Sequence, residues 1–121
     1  MDVERRIVVS SPGSIELEDE PLDPGTVLAG DPRTAAGEIA AAALPGGSTL
    51  ETGVWQCTPG VVTDVEADET FVVIAGRATI EHAGESHEVG PGDVCVLPAG
   101  AETRWTVHET LKKVYVAVDP G

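Results

Sequence analysis

From residue 50 onward, short runs of β-branched and apolar residues alternate with polar positions and are separated by turn residues at close intervals. Such runs fit half-buried strands, and their spacing fits an all-β sandwich or barrel rather than βαβ units. The pattern predicts strands over 50–57, 61–66, 70–75, 78–82, 86–89, 94–97, 103–108 and 112–118, enough for a jelly roll. Gly90-Pro91-Gly92-Asp93 fits a type II turn, with Pro second and Gly third, where positive φ is required. Ala83-Gly84-Glu85 suits a tight hairpin and Pro98-Ala99-Gly100 another reversal.

The first 49 residues carry a weaker pattern. Residues 6–9 and 14–17 read as short strands, 21–25 as a loop, and Gly30-Asp31-Pro32 as a turn. Residues 37–44, GEIAAAAL, read two ways: alanine favours helix, while the length and the bounding Pro45-Gly46-Gly47 suit a strand. The expectation is a single domain in which strands and loops of residues 1–49 pack on a barrel formed by 50–121.

Composition narrows the partners. Seven Lys and Arg stand against 21 Asp and Glu, a formal charge of -14, and a field of that sign repels phosphate backbones and anionic lipid. Nucleic-acid and membrane partners are therefore not expected. Ile7-Val8-Val9 is too short for a signal segment or a membrane span, which makes a cytoplasmic protein the default. Cys57 and Cys95 lie far apart in strand-like segments and read as two reduced thiols.

Two motifs carry more. Glu69, six residues and Gly76 (ETFVVIAG), followed by Gly92, five residues, Pro98, one residue and Gly100, resemble the paired motifs of the cupins, which are double-stranded β-helix jelly rolls. With GVWQCTPG, TRW and LKKVYV, the resemblance is closest to small cupins of the ureidoglycine aminohydrolase-like and ethanolamine-utilisation group. In metal-binding cupins the first motif supplies two histidines and a glutamate and the second a third histidine. Carried over by position, the glutamate is Glu69, the first two histidine positions fall at Thr63 and Val65, and the third at Thr103. A lone carboxylate with threonine and valine lacks the imidazoles that hold Zn, Fe or Ni, so no metal cofactor is expected there.

Residues two apart on a strand share a face. If Glu69 keeps the family orientation, Phe71 and Val73 point inward with it, and Thr63, Val65, Thr103, Trp105 and Val107 line the same cavity. On the last strand Lys113 and Tyr115 share one face and Val114, Val116 and Val118 the other; the pattern leaves open which looks inward. Lys113 either pairs with Glu69 or extends its head to the surface. Trp55 and Trp105 are core residues or platforms for a small planar ligand. His82 and His87, near the tip of one hairpin, make at most a weak divalent-metal site without a third ligand. His108 reads as a surface residue.

The resemblance implies a small cupin that binds a small polar metabolite without the usual metal histidines. As an enzyme it would use acid–base chemistry of isomerase, lyase or amidohydrolase type, with Glu69 moving the proton, Lys113 beside it and Thr103 hydrogen-bonding the substrate. The alternatives are a ligand-binding or assembly module without turnover and an atypical divalent-metal enzyme. Because a small jelly roll leaves edge strands that need cover, a homodimer is expected.

Overall fold

The computed structural model describes residues 5–121. Among these residues nine strands follow one another: β1 (Glu18–Asp19), β2 (Val27–Gly30), β3 (Thr34–Ala43), β4 (Thr49–Cys57), β5 (Gly60–Val65), β6 (Asp68–His82), β7 (Glu85–Val89), β8 (Val94–Leu97) and β9 (Glu102–Asp119). They form one antiparallel sheet, and β6 and β9 are its spine. The two pair along almost their whole length, but the register shifts three times between Val73 and Ala78. The sheet curls there into a half-barrel.

Gly76 permits the curl. Its φ is +83°, and a Cβ at this position would run into the Thr110 carbonyl of β9. Two strands expected over 70–75 and 78–82 are therefore one bent strand, and 103–108 and 112–118 likewise join in β9. The first half of β6 pairs with β8 and the C-terminal half of β9; its second half pairs with β7 and the N-terminal half of β9. Two walls thus face each other, and their inner side chains meet: the Phe71 and Trp105 rings lie 5.6 Å apart. Phe71, Val73, Ile80, Val107 and Leu111 are buried between them.

The ambiguous 37–44 segment lies in β3 up to Ala43, a strand paired with β4 from Thr34↔Cys57 to Ala43↔Thr49. Propensity yields to a backbone ladder broken by one register shift between Glu38 and Ala40. The N-terminal reading needs correction. Residues 6–9 form no strand, and 14–17 begins in a 3₁₀ turn over Pro12–Ser14, with pairing only at Glu18 and Asp19. Here Ile15 and Leu17 cap rather than pair: a Cβ on Gly37 would meet both side chains and the Glu16 carbonyl, so the segment lies against the outer face of β3.

Candidate functional site

Side-chain parity on β4, β6 and β9 builds the floor of a cavity. Trp55 lies opposite Lys113, Phe71 opposite Tyr115, and Glu69 opposite Ala117, so all of these look between the walls. The face left open by sequence is settled by this register. Lys113 and Tyr115 point inward, and Val114, Val116 and Val118 lie on the outer side.

Lys113 is 6% exposed, and its Nζ donates to Glu69 Oε2 at 2.6 Å. The same ammonium lies over three rings, 4.4 Å from the Phe71 centroid, 4.8 Å from Trp55 and 4.9 Å from Trp105. A carboxylate and three aromatic faces replace the water that a buried ammonium loses. Lys113 does not reach for the surface.

A second carboxylate, missed by the sequence reading, lies beside this pair. Glu66 follows β5 and is 8% exposed. Its Oε2 accepts from Thr103 Oγ1 at 2.8 Å and from Trp105 Nε1 at 3.0 Å, while Trp105 Nε1 also lies 3.1 Å from Thr103 Oγ1. Its backbone is tied to the β8–β9 loop, with Glu66 N to Ala101 O at 2.9 Å and Gly100 N to Glu66 O at 2.8 Å. Burial pushes the Glu66 carboxyl above its ordinary value; the Thr103 hydroxyl pulls it back, Asp64 raises it again, and the Trp105 indole pulls it back. The strand expected over 61–66 reaches Glu66, but with Thr63 and Val65 taken as the inward row its alternation turned Glu66 outward.

The expected face of β5 is corrected by one residue. Val62 is opposite Trp105 and Asp64 opposite Thr103, so the inward row is Val62 and Asp64, leading on to Glu66. Val65 is opposite Glu102 and 67% exposed; it is not in the cavity. Thr63 is opposite Arg104 and points its hydroxyl to the Thr26 carbonyl at 3.4 Å, reaching only the cavity rim. A one-residue slip exchanges the faces of a strand.

The cavity measures about 390 Å³. Glu66, Glu69, Lys113, Tyr115, Trp55 and Trp105 form its inner wall, and the 20–26 segment closes part of its mouth. That segment is anchored by Glu20 N to Thr34 O at 2.8 Å and by the Thr34 hydroxyl donating to the Glu20 carbonyl. Burial raises the Tyr115 phenol, with Glu51, Glu20, Glu69 and Glu38 adding to the rise.

These donors do not fit the transition metal of histidine-bearing cupins. Glu69 is held by an ammonium, Glu66 by a hydroxyl and an indole, and no imidazole lines the cavity. His82 lies outside with Nδ1 2.8 Å from the Glu102 carbonyl, His87 is 3.5 Å from the Glu85 carboxylate, and His108 contacts Thr79 at 2.7 Å. Among the described residues no three His, Cys, Asp or Glu side chains are grouped to hold a metal ion. Cys57 and Cys95 are both free, and among the described residues no helix is long and apolar enough to cross a membrane.

Comparison with known proteins follows the same lines. The family model described as "EutQ-like cupin domain" matches residues 45–115. A protein of unknown function of the DUF861 family from Pseudomonas syringae superposes with a TM-score of 0.74 at 26% identity, over 88% of this chain and 45% of that one. The chain thus spans less than half of that relative. The EutQ protein of Clostridium difficile superposes with a TM-score of 0.61 at 15% identity, over 84% of this chain and 82% of that one. The Cnp3 cupin domain of Schizosaccharomyces pombe superposes at 0.68 and 15% identity, over 96% and 77%. No curated protein matches the chain.

Proposed function

The chain belongs to the EutQ-like cupin family, and from that premise we propose that it binds a small polar metabolite in the cavity between its walls and acts on it, where it acts, by metal-independent proton transfer. The observation that carries this reading is the pairing of two carboxyls of opposite character. Glu69 pairs with Lys113 at 2.6 Å, whereas burial disfavours the charge of Glu66. Carboxyls with environments pushed apart suit separate roles.

Within this reading Glu66 exchanges the proton and replaces Glu69 in that role. The Thr103 hydroxyl and Trp105 indole hold its Oε2 in place. Lys113 presents a fixed positive charge at the cavity wall, suited to a carbonyl or carboxylate oxygen of the ligand. Half-buried Trp55 offers a flat apolar wall. A volume of about 390 Å³ lies in the range of small-molecule sites.

A thermal-shift screen of small carboxylates, ureides and amines, with analysis of each stabilising compound for consumption, tests the reading. Stabilisation with turnover that is lost in Glu66→Gln is the expected result. Stabilisation without consumption would leave a binding module, and no stabilisation by any compound would sink the proposal.

A further inference from the structure

Lysine occurs at two positions in the chain, Lys112 and Lys113, and alternation along β9 turns them to opposite faces. Lys112 lies opposite Gln56 on the outer side and is partly exposed, whereas Lys113 lines the cavity and is 6% exposed. An ammonium carries three N–H donors. Glu69 Oε2 is the single hydrogen-bond acceptor of Lys113 Nζ among the described residues, so the other N–H groups are left to three ring faces and the cavity. Apolar side chains replace a buried ion pair at little cost, so stability alone gives no reason for an amine at this spot.

Two carboxyls stand ready to exchange protons with it. Glu69 is in contact, and Glu66 is reached across one indole: Trp105 Nε1 donates to Glu66 Oε2 at 3.0 Å, while the Trp105 ring centroid lies 4.9 Å from Lys113 Nζ. A desolvated lysine amine beside such groups is the nucleophile that attacks carbonyl carbon. On the reading that a small metabolite enters this cavity, we propose that Lys113 captures a small aldehyde there as a covalent iminium.

The step balances within the site. Lys113 passes one proton to Glu69, which turns two buried ions into two neutral groups. The nitrogen lone pair forms the C–N bond, and the carbonyl π pair moves onto oxygen, which takes a proton from Glu66. The nitrogen then returns a proton to Glu66. Glu69 gives its proton to the new hydroxyl, the C–O bond breaks, water leaves, and the nitrogen lone pair completes the C=N bond. Ammonium and aldehyde have become iminium and water, with both carboxyls back in their starting states. The iminium keeps one positive charge where the ammonium had it, beside Glu69 and among the faces of Phe71, Trp55 and Trp105, so a site built for one cation holds the other.

The full chain is incubated near neutral pH with propionaldehyde and sodium cyanoborohydride, which reduces an iminium to a stable secondary amine, and tandem mass spectrometry locates the modified lysine. Lys113 is expected to be labelled at least roughly tenfold faster than its outward neighbour Lys112, with the preference lost in urea. Glu66→Gln is expected to slow labelling of Lys113 severalfold and to leave Lys112 unchanged. No adduct at Lys113, or labelling of Lys112 as fast in the folded chain, would overturn the proposal; an unchanged Lys113 rate in Glu66→Gln would overturn the proton route. Labelling is read without turnover, so its failure leaves proton transfer on other ligands standing, and a thermal-shift screen without a hit leaves the adduct measurable.

Discussion

Lys113 Nζ lies 2.6 Å from Glu69 Oε2, with the two side chains only 8% and 15% exposed. Removing one member leaves the other charge buried beside three aromatic rings. Such a loss typically costs about 3–5 kcal/mol, whereas replacing both partners by apolar groups is often neutral. Glu69→Gln is expected to lose on that order in urea denaturation, and Glu69→Leu with Lys113→Met to recover most of it. Equal loss in the single and double variants would show that the cost does not come from an unpaired Lys113 charge.

The raised carboxyl of Glu66 sets a pH dependence of definite sign. Unfolded, the group titrates near its ordinary 4.5; folded, burial keeps the proton on to higher pH. Between those two values the folded chain binds more protons, so this contribution is fully present below 4.5 and is lost as pH rises through the folded value. Glu66→Gln keeps an acceptor for Thr103 and Trp105 but cannot titrate. Urea midpoints of the parent measured relative to this variant should fall as pH rises above 4.5, and a relative rise would contradict the burial argument.

The fold was largely legible because turn chemistry and apolar alternation agree from residue 50 onward. What sequence could not provide was the joining of strands at Gly76, where a bent strand and a hairpin share the same break in pattern. β5 was misread for a related reason. Val61 and Val65 stand on one parity and Val62 on the other, so hydrophobicity did not choose between faces; contact with Trp105 did. Glu66 was hidden because its burial comes from the β8–β9 loop folding over it, a contact between distant residues.

That correction separates two metal designs. Thr63→His, Val65→His and Thr103→His together would place one imidazole buried beside Glu66, one at the cavity rim and one in solvent, and should bind Ni or Zn no more tightly than the parent. Val62→His, Asp64→His and Thr103→His lie on one face and should improve affinity by at least roughly tenfold. Calorimetry on folded protein distinguishes them. The reverse order would mean that the β5 register is wrong.

The thiols should react in sequence. Cys57 is fully buried with its pKa pushed up to about 11 by burial, with Lys113 pulling the other way. Cys95 is also raised, mainly by burial, but is partly exposed. Because the thiolate is the reactive form, a colorimetric disulfide reagent near neutral pH should titrate Cys95 slowly and leave Cys57 untouched until urea is added. Prompt reaction of both in the folded protein would contradict this placement.

β6 and β9 each run through both walls, and the consequence lies in how the molecule comes apart. A sandwich whose sheets own separate strands has two halves able to melt in turn. Here either wall, in opening, must pull two of its strands out of the other. Amides around Phe71 and Trp105 therefore exchange with solvent only when the whole molecule opens, while those of the Ile7–Val9 segment exchange freely in the isolated chain.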